Sequence, residues 1–141
     1  MHKKLFRLFN TSAPTAPDGL QQFQREAIVD LLNFCRIADD KLLVVEEEAG
    51  AAVEASLNWE STVPLVTYGA ESLVRAEQAV NDPELRAEFI QRVADRLETT
   101  ELKTRAVSLC LDMFYADGEF VEKERQVFGE IKRALGWPDQ P

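Results

Sequence analysis

Ala116-Asp117-Gly118-Glu119-Phe120-Val121-Glu122-Lys123-Glu124 is the stretch whose reading decides the fold. An apolar run over residues 102–115 leads into it, and a second over residues 127–135 leads out, each with the three-and-four spacing of a helix face. Asp117-Gly118 closes the first helix, and Glu124, seven positions after Asp117, falls in the first turn of the next. Shifting the sequence by 78 residues lays Ala38-Asp39-Asp40-Lys41-Leu42 on Ala116-Asp117-Gly118-Glu119-Phe120 without a gap. The same shift pairs Val29 with Val107, Leu31 with Leu109, Glu46 with Glu124, Leu57 with Leu135 and Trp59 with Trp137. Both tryptophans of the chain thus stand at matched distances from matched aspartates. The pattern reads as a duplicated helix-loop-helix, with copies over residues 27–59 and 105–137 related by a pseudo-two-fold.

Helical periodicity extends on either side of the second loop and through the rest of the chain. Leu20, Phe23, Ala27, Ile28, Leu31, Leu32, Cys35 and Ala38 form one stripe, broken by Asp39-Asp40. A second helix is predicted over about residues 44–58, on Ala49, Ala52, Val53 and Leu57. Val66, Gly69, Ala70, Leu73, Ala76 and Val80 mark a third, and Leu85, Phe89, Val93 and Leu97 a fourth. Asp82 before Pro83 is a helix start, with an acceptor at the N-cap and proline at N1. Thr99-Thr100-Glu101 can cap the fifth helix, which carries Leu102, Ala106, Leu109, Cys110 and Met113. The sixth spans about residues 122–135, with Gly136 as a left-handed stop and Pro138 beyond it. No segment alternates with period two. The expected fold is all-α, a single-domain bundle of six to seven helices over residues 20–141. Residues 1–19 form a basic amphipathic tail, Lys3-Lys4-Leu5-Phe6-Arg7-Leu8-Phe9, and a Pro/Ser/Thr linker.

At 141 residues, 45% of them hydrophobic and 29% charged, the chain has the makeup of one globular domain. No apolar run reaches the ~20 residues that span a bilayer. The net charge of −9 repels phosphate backbones and argues against nucleic acid as the partner. Residues 20–60 carry −6 of it, concentrated in the first copy, either as a cation-attracting surface or as a solubilising face. Cys35 and Cys110 lie within apolar helical runs, and no secretory signal is read in the N-terminal tail, so reduced buried thiols and a cytoplasmic setting are expected.

Catalytic material is sparse. The single histidine is His2, which leaves imidazole triads and zinc hydrolase sites without ligands, and the six glycines form neither a P-loop nor a dinucleotide fingerprint. The expectation is a non-enzymatic protein. An EF-hand reading also fails. With Asp117 at loop position 5, Gly118, Phe120 and Glu124 fit positions 6, 8 and 12, but Met113 and Tyr115 fall where positions 1 and 3 require oxygen ligands. Two readings of the acidic loops stay open. Asp39, Glu46, Asp117 and Glu124 meet across the pseudo-dyad as a hard-oxygen site for Ca²⁺ or Mg²⁺, or they only turn and cap their helices.

The Ala-Asp-Gly loop over residues 116–118, Glu124, and Ile131-Lys132-Arg133-Ala134-Leu135-Gly136-Trp137 together resemble the tellurite-resistance TerB-like family, a domain also found in DjlA-type co-chaperones. The first copy departs from that pattern at Asp40, where glycine is usual. The resemblance covers roughly residues 20–138. It implies a bacterial, cytoplasmic, pseudo-symmetric helical module without enzymatic activity. Its implied role is divalent-cation binding or sensing in the response to metal stress, through protein partners and extending to the inner face of the membrane, as monomer or homodimer. The acidic positions that carry over are Asp39, Glu46, Asp117 and Glu124. The alternative is a metal-free interaction scaffold or co-chaperone-type domain.

Overall fold

A computed structural model describes residues 19–38, 51–114 and 122–136. Five helices are defined there: α1 (Gln22–Ala38), α2 (Leu65–Val80), α3 (Pro83–Leu97), α4 (Thr100–Phe114) and α5 (Glu122–Leu135). Residues 51–55 are also helical, and no strand occurs among the described residues. The all-α expectation holds. The loop residues 39–46 and 115–121, the start of the second predicted helix, the N-terminal tail and Trp137 lie outside the described residues.

Helix α1 is the centre of the molecule and packs against each of the other four helices. Its residues 27–35 are buried without interruption, polar ones included. A helix that is buried all round must be apolar on every face or must pair what is not. Val29 and Phe34, outside the predicted stripe, are therefore core residues, whereas Phe23 at the helix start is exposed. Around α1 the core collects Val53, Leu57, Ile90, Val93, Leu97, Val107, Cys110, Phe114, Ile131 and Leu135. Phe34 stacks on Phe89 of α3 with ring centroids 5.2 Å apart, and Phe114 meets Phe128 edge-on at 6.0 Å.

The predicted stripes of α2 and α3 need correction. Val66 is 79% exposed, Ala70 is also exposed, and Leu85 at the start of α3 is largely in solvent. Of the stripe residues only Ala76 and Val80 in α2 and Val93 and Leu97 in α3 are buried, and Ala79, Ile90 and Ala94, outside the stripes, are buried beside them. Spacing identifies a face but not how much of it finds a partner.

Local start and stop chemistry matches expectation. Asp82 Oδ1 accepts from the backbone N–H of Glu84 (3.0 Å) and Leu85 (3.2 Å), with Pro83 at the first helical position. Thr99 Oγ1 accepts from Leu102 N–H at 3.1 Å to start α4. Gly136 adopts φ +74° after α5, the left-handed stop that glycine takes without a Cβ penalty.

Long polar side chains close the C-terminal ends of α2 and α3 and the turn that follows residues 51–55. Gln24 Nε2 donates to the Leu97 carbonyl at the end of α3 (3.2 Å), and Arg25 Nε donates to the Leu57 carbonyl (2.7 Å). Arg86 Nη1 donates to the Val80 carbonyl at the end of α2 (2.8 Å), while its Nε and Nη2 reach Glu130 of α5 at 2.7 and 3.1 Å. Carbonyls at helix ends have no partner within the helix, so these buried or half-buried donors remove a desolvation cost and tie elements together.

Candidate functional site

Of the four acidic residues marked in the sequence, the structure describes one. Glu124 lies in the first turn of α5 and is 3% exposed, although a first-turn glutamate on a surface helix usually faces water. Asp39, Glu46 and Asp117 lie outside the described residues, as does the loop that would bring them to Glu124. Among the described residues no three His, Cys, Asp or Glu side chains converge as a metal-ligand group.

The most developed polar constellation in the described structure is elsewhere, on α1, α2 and α3. Asp30 sits in the middle of the buried run of α1, with a side chain only 4% exposed. Its Oδ1 accepts from Arg75 Nη2 of α2 at 2.9 Å, and its Oδ2 from Arg96 Nη2 of α3 at 2.7 Å. The Tyr68 hydroxyl of α2 lies 3.1 Å from each oxygen. Tyr68 and Arg75 are seven residues apart, two turns of α2, and so share a face; Arg92 and Arg96 are one turn apart on α3. Both arginine-bearing faces converge on the one carboxylate of α1.

Several further contacts hold this arrangement. The Arg75 guanidinium lies over the Tyr68 ring, 5.3 Å from its centroid, a cation–π contact. Arg96 Nε donates to the Arg92 carbonyl at 3.1 Å. The Tyr68 ring packs 5.4 Å from Trp59, whose indole N–H donates to the Val63 carbonyl at 2.8 Å. Trp59 is partly buried against the core and also buttresses Tyr68.

Electrostatics fix the protonation states. Burial, reinforced by the Asp30 charge and only partly offset by Arg96 and Arg75, pushes the Tyr68 phenol up to about 12. At neutral pH it is a hydrogen-bond donor to Asp30. Burial is the largest single influence and works against the Arg96 charge, but the hydrogen bonds and charges of Asp30 and Tyr68 together outweigh it and raise the guanidinium above its ordinary value. With two guanidinium donors and a phenol on its two oxygens, Asp30 acts as a counter-charge and orienting group.

An opening of about 200 Å³ lies above this cluster, lined on its polar side by Arg75, Arg92 and Arg96 together with Asp30, Gln78 and Glu88, and on its apolar side by Ala79, Leu85 and Phe89. A shallower depression of about 490 Å³ shares Asp30 and the three arginines and extends to Tyr68 and Asp95.

This cluster was not marked in the sequence. Its one local signal is an aspartate inside an otherwise apolar run, Ala27-Ile28-Val29-Asp30-Leu31-Leu32, where a carboxylate is expensive unless paired. The partners lie 38, 45 and 66 residues away, where no periodicity points to them. Cys35 and Cys110 are both free and buried, as expected. Burial, with Cys35 beside it and the Asp112 charge nearby, pushes the Cys110 thiol well up.

No protein-family model matches the chain, and no curated protein or solved structure matches it either.

Proposed function

We propose that this protein is a non-enzymatic, TerB-like helical module built from a doubled helix-loop-helix. Its acidic loops hold a divalent cation, Ca²⁺ or Mg²⁺, through Asp39, Glu46, Asp117 and Glu124, and it acts through protein partners. The observation that carries the reading is the 78-residue register, which repeats the Asp/Glu pair of the acidic loop, with Glu124 of that set drawn inside at 3% exposure and held by contacts within the protein. Register supports the doubling: α1 starts at Gln22 and α4 at Thr100, 78 residues on. Val29 and Val107, Leu31 and Leu109, Val53 and Ile131, and Leu57 and Leu135 are buried as pairs at that same offset.

Isothermal titration with Ca²⁺, Mg²⁺, Mn²⁺ and Zn²⁺ tests the proposal. The expected result is saturable heat at an ion concentration on the order of 1 mM or below, lost in Asp39→Asn/Asp117→Asn. Unchanged heat in the double variant, or none at all, refutes it.

A metal-free scaffold is the second reading, favoured by the place of Glu124 in a first helical turn, where a carboxylate complements the helix dipole without any ion. In that case Glu124→Gln costs about 1 kcal/mol of stability whether or not cation is present.

A further inference from the structure

We propose that the opening above Asp30 binds a small organic anion: one carboxylate held by Arg75, Arg92 and Arg96, with an apolar body against Leu85 and Phe89. It rests on residues separate from the acidic loops, so it stands or falls independently of the cation reading.

Stoichiometry comes first. One buried carboxylate is sufficiently compensated by one guanidinium and a phenol, yet Asp30 is met by two guanidiniums, and a third, Arg92, lines the same opening. Hydrogen bonds among the described residues engage one guanidinium nitrogen of Arg75 and two of Arg96. An arginine carries five N–H donors in a planar fork. The unused donors belong to side chains 41% and 28% exposed, at the rim of the opening.

Preorganisation comes second. A free arginine loses rotamer entropy when it grips a ligand, and that loss lowers affinity. Here it has already been incurred on folding, because Arg75 is held by Asp30 and by the Tyr68 ring, and Arg96 by Asp30 and the Arg92 carbonyl.

The rim selects the ligand class. Glu88 lies 3.7 Å from Arg92, both largely in solvent, and the pair is weak and easily opened. Asp95 accepts from Gln91 at 2.9 Å beside the second depression. Within the opening, Arg75, Arg92 and Arg96 face only Asp30 and Glu88, an excess of a single positive charge that suits a singly charged anion and not a polyanion. What remains is directed: fork-shaped donors that match a planar carboxylate, beside a wall in which Phe89 is fixed by its stack on Phe34. That combination favours a singly charged carboxylate with an apolar body over phosphate or a bare anion.

Benzoate is the probe, with acetate and inorganic phosphate for comparison, followed on the full chain by NMR of backbone amides and arginine Nε–H groups. Benzoate is expected to shift Arg75, Arg92 and Arg96 resonances saturably with a Kd on the order of 1 mM, more tightly than acetate or phosphate. Arg92→Gln and Arg75→Gln, both at exposed guanidiniums, are expected to weaken it about tenfold or more, and Arg133→Gln on α5 not at all. Shifts that stay linear to about 50 mM benzoate, equal weakening by Arg133→Gln, or phosphate binding as tightly as benzoate would overturn the proposal.

Discussion

Replacing Asp30 with Asn removes one charge and almost no volume, so its effect isolates what the carboxylate does. The side chain is 4% exposed and accepts from Arg75 at 2.9 Å and Arg96 at 2.7 Å. In the variant the amide oxygen still accepts from Tyr68 and one arginine, but the amide NH₂ faces the other arginine donor to donor. A hydrogen bond to a charged group contributes about 1.5–3 kcal/mol, and stranding one member of a fully buried ion pair costs about 3–5 kcal/mol. The arginines are 41% and 28% exposed and can turn into water, which recovers part of that cost. The expected loss is about 2–3 kcal/mol, a large share of the ~5–15 kcal/mol that a domain holds. For a chain of 141 residues that lowers Tm by roughly 6–15 °C. Urea unfolding followed by far-UV circular dichroism measures it, with an unchanged m-value showing that the unfolded state is the same. The order should be Asp30→Asn, then Arg96→Gln, then Arg75→Gln, following burial. If Asp30→Asn lies within about 0.5 kcal/mol of wild type, or Arg75→Gln costs as much, the carboxylate is not the hub described here.

Two further outcomes follow from the buried titratable groups. Spectrophotometric titration should show one tyrosine ionising at about 12 and that step should vanish in Tyr68→Phe. Because the unfolded phenol ionises near 10, the folded state holds this proton more tightly, so stability falls as pH rises from about 10 to about 12. Titration of all tyrosine absorbance near 10 would show that Tyr68 is not shielded as described. With both cysteines buried and the Cys110 thiol pushed up by burial, a thiol reagent at neutral pH should leave the native protein unmodified and label two thiols in urea. Rapid labelling of the native chain would contradict the packing of α1 against α4.

Fold class and most helix boundaries were legible in the sequence because they depend on contacts within a few residues. Asp82 with Pro83, Thr99 and Gly136 cap or stop helices through bonds spanning two or three positions, and they do so where the sequence placed them. Apolar spacing likewise named Ala76 and Val80 of α2 and Val93 and Leu97 of α3, but not the equally buried Ala79, Ile90 and Ala94. It misjudged Val66 and Leu85, because periodicity marks a face while exposure depends on whether another element lies against it.

The cluster at Asp30 was out of reach of such reasoning. An isolated aspartate in an apolar run shows only that a partner must exist. Which partners was decided by the packing of α2 and α3 on α1, which delivers Tyr68, Arg75 and Arg96 from 38, 45 and 66 residues away to one carboxylate. Local chemistry sets where helices begin and end, since its bonds close within a turn or two. Where their polar groups meet is set by the core, since burying Phe34, Val93 and Leu97 orients the helices and every charge on them at once.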